Sequence, residues 1–223
     1  MVTLPACDSD ADEMDEPDEV LSRALGYPYE APRRSFALVE GRAVDPGSAD
    51  LGPSPREPLL AYASNASPVV LARKLGGRRE ALLAERSTLS GFDVVYSAHI
   101  SPYGAVPATL APSPGTEVDV FVLRLTSAQR QALAATEPNY ELSEADGLPA
   151  YLSRNGCLRL DGSPIALRAI GARNRRLPEL GQRQVLERVR DLLAPEDSLQ
   201  RFVGDSAADP ALARRRSEVL KPS

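Results

Sequence analysis

The run "TEVDVFVLRLT", Thr116 to Thr126, sets the strongest limit on how this chain can fold. Val118, Val120 and Val122 alternate with Phe121, Leu123 and Leu125, so an extended backbone here turns an apolar row to each side. A strand of this kind belongs in the middle of a sheet that is covered on both faces. "TSAQRQALAATE" follows and reads as a helix, capped by Thr126 or Ser127, with Leu133 turned inward. It stops at Glu137, because the proline at 138 disfavours helical geometry in the residue before it.

Upstream, "LLAYA" is short, apolar and bounded by turn formers, as a buried strand is. The loop "ASNAS" follows, and Ser67-Pro68 signals a helix start: serine can accept from a free N–H of the first turn, and proline there loses no needed donor. Leu71 and Leu75 keep helical spacing until Gly76-Gly77 ends the helix. "GFDVVYSAHI" is the next strand; "SPYGAVPATLAPSPG" reads as a proline-rich loop with a short extended piece at Ala108-Thr109-Leu110. "CLRL" and "PIALRAI" flank Asp161-Gly162, a strong hairpin signal. "LPELGQRQVLERVRDLL" is an amphipathic helix with Leu180, Val185, Val189 and Leu192 as its expected inner stripe.

The ends look peripheral. Residues 1–22 carry eight acids and no base, too little apolar surface to offset the entropy of ordering them. "EVLSRALGY" allows a short helix and "SFALVEGRAV" a strand or hairpin, before "DPGSADLGPSPREP" breaks the pattern as a linker. The expected organisation is an acidic, largely disordered extension and linker over 1–55, a compact domain over 56–203, and a polar tail that frays over 204–223.

Composition removes several function classes. No window approaches eighteen consecutive apolar residues, so no membrane span is expected. The start lacks the basic and apolar regions of a secretory signal, which leaves a cytoplasmic location as the default. Cys7 and Cys157 stand far apart and outside any zinc-type spacing, so no metal site is expected; Cys157 reads as a small buried residue. Residues 168–190 hold seven arginines against Glu179 and Glu187, but aromatic interleaving is absent and the chain is net −5. A solvated face suits that stretch better than a nucleic-acid surface.

Order adds what single features do not. A strand entering "YASN", then "VPATLAPSPGTEVDVFVLRLT", then a helix ending at Glu137 within Leu133-x-x-x-Glu137-x-x-Tyr140, then "DG" and a further strand, resembles the gamma-glutamylcyclotransferase-like family. The likeness runs from about Leu59 to Ile170. It implies an α+β fold with a small mixed, barrel-like sheet flanked by helices. It also implies a cofactor-free reaction, in which the α-amine of a small gamma-glutamyl amide or peptide attacks its own γ-carbonyl and releases 5-oxoproline and an amine. No cofactor is needed because nucleophile and electrophile lie in one molecule.

On this likeness Glu137 is the acid–base residue, taking the proton of the ammonium and returning it to the leaving nitrogen. One carboxylate serves both steps if partial burial raises its pKa toward neutrality. Tyr62, Ala63, Ser64 and Asn65 form the substrate loop, whose backbone N–H groups lack helical partners and can meet a carboxylate. The alternative is that Ser64, Asn65 and Ser67 satisfy only their own turn. Tyr62 and Tyr140 border the pocket or pack beside it. His99, the only histidine, has no serine or cysteine partner in a recognisable arrangement and reads as structural. Ala63 stands where the family has glycine, so a positive φ there would cost about 1 kcal/mol. Beside the enzyme stands a second reading, a catalytically silent relative that binds a small anion or a protein. The leaving amine and the oligomeric state are open at this stage.

Overall fold

A computed structural model describes residues 16–76 and 80–222. In chain order its elements are α1 (Glu16–Leu25), β1 (Phe36–Val39), β2 (Arg42–Val44), β3 (Glu57–Ala61), α2 (Pro68–Leu75), β4 (Leu82–Tyr96), β5 (Ala108–Leu125), α3 (Ser127–Ala134), β6 (Tyr140–Ala145) and β7 (Leu148–Ser153). Five two-residue strands follow: β8 (Arg159–Leu160), β9 (Ser163–Pro164), β10 (Ala166–Leu167), β11 (Ala172–Arg173) and β12 (Glu179–Leu180). Three helices end the chain: α4 (Gln182–Leu193), α5 (Leu199–Ala208) and α6 (Pro210–Leu220). No helix among the described residues is long and apolar enough to cross a membrane.

β5 is the strand on which the fold is built. It pairs antiparallel with β4 from Leu83↔Arg124 to Tyr96↔Ala108, and antiparallel with β3 from Glu57↔Leu125 to Ala61↔Phe121. β3 in turn meets β7 in parallel at Leu60↔Ala150, which makes the sheet mixed. The two apolar rows of β5 enter different clusters. Val118, Val120 and Val122 pack with Tyr96, Val185 and Phe202; Phe121, Leu123 and Leu125 pack with Leu71, Leu75 and Leu133. The alternation read from the sequence therefore means two cores, one on each face of the sheet.

The structure is α+β with a mixed sheet, but the sheet is open. Its path runs β12-β10-β4-β5-β3-β7-β6, with β12 and β6 at opposite ends and no ladder among the described residues joining them. A barrel needs a continuous ladder round its wall, and β10 and β12 are only two residues long. Strand lengths also differ from expectation. "PSPG" is not a turn: β5 passes through it opposite a register shift between Ser90 and Phe92, where Gly91 takes φ 77°. A bulge accommodates prolines that a regular ladder would exclude. The hairpin at Asp161-Gly162 is present, with φ of 52° and 82°, and Glu40-Gly41 makes a similar turn between β1 and β2.

Both chain ends correct the expected boundaries. Residues 16–55 are not a peripheral linker: Ala24 and Tyr27 are buried, β1 pairs with β4, and the Phe36 ring meets Phe121 edge-on at 5.6 Å. The acidic positions from Asp8 to Asp15 lie outside the described residues. The C-terminal stretch is helical, and Arg216 is buried with its guanidinium 4.2 Å from the Phe202 ring centre. That arginine donates to Phe202 O and Ser206 Oγ. Counting arginines as solvated overlooked that a guanidinium can stack on an aromatic face while its edge is hydrogen-bonded. On α4, Val185 and Val189 are buried as expected, but Leu192 is 59% exposed and Leu186 is fully buried. Helical spacing from Val185 and Val189 admits either row; packing against Phe202 and Val203 in the shared core selects one.

Candidate active site

β3 ends at Ala61, and the chain turns through a 3-10 stretch, Ala63–Ala66, into α2. Ala63 takes φ +50°, the left-handed geometry that favours glycine. Its methyl group is nevertheless buried within the core that also holds Leu60 and Tyr62. Burying a methyl stabilises by roughly 0.8 kcal/mol, which offsets much of the ~1 kcal/mol that alanine loses in this region. Ala63→Gly is therefore expected to shift stability by less than about 1 kcal/mol in urea unfolding. Ala63→Val should cost at least about 2 kcal/mol, since a β-branched residue has no relaxed left-handed conformation. Equal stability of all three would show that the turn relaxes to another geometry.

A 3-10 ladder bonds each N–H to the carbonyl three residues back, so the N–H groups of Ala63 and Ser64 at its start have no partner within it. Ser67 precedes α2 in extended geometry, yet its hydroxyl makes no cap and has no hydrogen-bond partner. The capping expected of that serine is absent because its buried Oγ does not reach an α2 N–H. By contrast Thr126 and Gln129 cap α3 reciprocally.

Glu137 lies three residues beyond α3 and three before β6, in a turn fixed by Glu137 N donating to Ala134 O and Tyr140 N donating to Glu137 O, each at 3.1 Å. Its side chain is 10% exposed. Oε1 accepts from Lys74 Nζ at 2.6 Å and from Asn65 Nδ2 at 2.9 Å, and Lys74 also donates to Asn65 Oδ1 at 2.8 Å. These three side chains, brought together from the substrate loop, α2 and the turn after α3, form a closed ring of polar contacts. Oε2 has no protein partner among the described residues.

Glu137, Tyr62, Ser64, Asn65 and Tyr140 line one cleft of about 360 Å³. Ala63 is buried in the core and is not among the residues that line the cleft. Tyrosine rings make much of the remaining wall, and their hydroxyls are tied down: Tyr62 donates to Tyr151 O, Tyr140 donates to Ala108 O at 2.9 Å, and Tyr27 accepts from Ala108 N at 2.8 Å. Burial pushes the pKa of all three well above the usual tyrosine value, so they stay protonated. Gly104 lets the far wall, Ser101 to Tyr103, lie on α5: a Cβ there would be 2.7 Å from Val203 Cγ1.

The sequence reading missed Lys74, Arg23, Arg73, Tyr27, Tyr103 and Tyr151 in this wall. For Lys74 a signal existed. The chain uses arginine at 24 of its 26 basic positions, so a retained lysine marks a place where a compact ammonium is wanted instead of a planar fork. The arginine imbalance was informative through its exception.

His99 also lines the cleft, contrary to the expectation of a purely structural role, and it does have a serine partner: Ser97 Oγ lies 2.7 Å from Nδ1. Ser97 is fully buried, so this pair is no exposed nucleophile. Burial lowers the His99 pKa from 6.5 to about 4. The unfolded chain therefore takes up this proton first as pH falls. Stability is complete above pH 6.5 and is lost as pH drops toward 4, by about 1.4 kcal/mol per unit and roughly 3 kcal/mol in all. Because His99 is the only histidine, urea unfolding between pH 7.5 and 5.5 should show this slope in the wild type and not in His99→Phe.

Among the described residues no group of three or more His, Cys, Asp or Glu side chains is placed to hold a metal ion. Comparisons with protein-family models, curated proteins and solved structures found no match. The chemistry of the cleft is therefore read from its own groups.

Proposed function

We propose that the cleft closes small gamma-glutamyl amides or peptides into 5-oxoproline without a cofactor. The observation that carries this reading is the state of Glu137: one carboxylate oxygen is anchored by Lys74 and Asn65, and the other is left without a protein partner in a cleft shared with the Tyr62–Asn65 loop. An acid–base residue that must take and return a proton within one turnover works best when one oxygen is held and the other is open to the substrate.

The steps follow from these positions. The substrate's α-ammonium gives a proton to Glu137 Oε2, and the freed amine adds to the γ-carbonyl carbon. The oxygen of that carbonyl becomes an oxyanion, which the N–H groups at the start of the loop are suited to receive. Glu137 passes this proton to the leaving nitrogen and collapse breaks its bond to carbon; the ring nitrogen gives its second proton to Glu137, which hands it to the departing amine, released as an ammonium. Glu137 ends as it began. Aromatic walls that hold the substrate folded, with amine and carbonyl in reach, supply an orientation contribution as well.

Arg23, Arg73 and Lys74 against the single acid Glu137 give the lining a positive balance, which suits the carboxylates of such a substrate. The same balance favours the second reading, a module that binds a small anion without turnover. A panel of gamma-glutamyl amides, amines and dipeptides assayed for 5-oxoproline by mass spectrometry separates them. Release from at least one member supports the enzyme. Thermal stabilisation by panel members with no product above the uncatalysed rate would replace it with the binding module.

A further inference from the structure

The sole histidine has one nitrogen that the protein leaves unused. Ser97 Oγ donates its only proton to Ser153 Oγ at 2.6 Å, and Ser153 Oγ also accepts from Asn155 N at 3.1 Å. Ser97 therefore has nothing to donate to His99, and the 2.7 Å contact between them must be carried by a proton on His99 Nδ1. A neutral imidazole protonated at Nδ1 has a bare lone pair on Nε2. The low pKa of the ring keeps it in this neutral form near pH 7.

Nε2 has no hydrogen-bond partner among the described residues, and it is not one of the fully enclosed unpartnered atoms: although the residue is buried, this nitrogen keeps contact with the cleft that His99 lines. An acceptor in that place bonds to whatever occupies the cleft. The ring is held edge-to-face against Tyr140, with centroids 5.7 Å apart, so it is not free to turn the nitrogen elsewhere. What faces this wall must bring a donor.

From this geometry we infer that His99 Nε2 accepts a hydrogen bond from the primary ammonium group of the ligand, making His99 a specificity-determining residue that admits α-amino acids and rejects their deaminated analogues. The inference rests on the gamma-glutamyl reading, in which the same ammonium is the future nucleophile. It adds a second, uncharged acceptor to Glu137 and fixes the group from two sides.

Because there is one histidine, its nitrogens can be followed without assignment by ¹⁵N-histidine labelling of the wild-type protein. An unprotonated imidazole nitrogen resonates far downfield of a protonated one, and the two-bond couplings to the ring C–H protons tell Nε2 from Nδ1, so the tautomer is read directly. The probes are L-glutamate, which carries the ammonium, and glutarate, which lacks it; neither has an amide to turn over. The expected result is an Nδ1–H tautomer in the free protein and an upfield shift of Nε2 with L-glutamate but not with glutarate. His99→Phe should lower kcat/KM on any active gamma-glutamyl substrate by about 10- to 100-fold, the value of a hydrogen bond to a charged group. An Nε2–H tautomer overturns the inference. So does an Nε2 signal that ignores L-glutamate while loop amides respond, or one that moves equally with glutarate; in each case 5-oxoproline release would leave the gamma-glutamyl reading standing. Absence of release from the whole panel, with neither probe perturbing the cleft, would overturn both.

Discussion

Glu137→Gln is expected to lower the rate of 5-oxoproline release by about 10²–10⁴-fold, the usual contribution of a positioned acid–base group. Glutamine keeps the size of the side chain and can still accept from Lys74 and Asn65 through one oxygen. What it lacks is a second oxygen able to carry a proton, so KM should change far less than kcat. The substitution also leaves the Lys74 ammonium, 15% exposed, without its counter-charge. A stability loss of about 1–3 kcal/mol should accompany it, below the cost of breaking a fully buried pair because both groups keep some solvent. Circular dichroism and urea unfolding distinguish the two effects. A folded variant with wild-type turnover would remove Glu137 from its role.

The second large effect concerns stability. Asp93 is fully buried on β4, and its carboxylate is bracketed by Arg175: Nε meets Oδ2 and Nη2 meets Oδ1, both at 2.9 Å. Arg175 donates further to Ile170 O and to Glu179. This cluster fastens the stretch between β11 and β12 to the middle of the sheet. Asp93→Ala leaves a guanidinium that is only 11% exposed with the half-exposed Glu179 as its one remaining carboxylate and nothing to meet its Nε. Removing one partner of such a pair costs about 3–5 kcal/mol, or roughly 6–20 °C in Tm for a chain of this size. Catalysis below the new Tm should be unchanged, since neither residue lines the cleft. A loss under about 1 kcal/mol by denaturant titration would mean that water already reaches the pair.

The contrast between these two sites explains what the sequence could and could not tell. The placement of Glu137 in the turn after α3 was legible because it is fixed locally, by a capped helix before it and a tyrosine three residues on; the helix itself ends at Ala134, short of the expected stop at Glu137. The turn at Tyr62–Asn65 was legible for the same reason. Asp93 and Arg175 are 82 residues apart, and nothing near either one announces the other. Lys74 joins Glu137 across 63 residues, and only its rarity in an arginine-rich chain set it apart. The same limit applies to the fold. Alternation in β5 correctly implied burial on both faces, yet whether α1 or α6 would cover them depended on contacts between distant segments. Composition alone made both ends look dispensable, because stacked or paired arginines count as polar until their partners are known. Sheet closure was a property carried over from a likeness, and the short strands β10 and β12 do not sustain it.

The two apolar rows of β5 have a consequence for how such a protein can change. Lys74 and Glu137 are set by α2 and the turn after α3, whose leucines belong to one core; Tyr27, His99 and the Ser101–Tyr103 wall are set by elements of the other, which also holds Tyr62 and Ala63 of the loop. The cleft opens along the seam between them. Substitutions that reshape the wall against α5 travel through packing that the acid–base half does not share. Under the proposed reaction, ligand preference can thus drift while Glu137 and Lys74 are kept, and a library confined to the α5-facing wall is the economical place to look for other ligands.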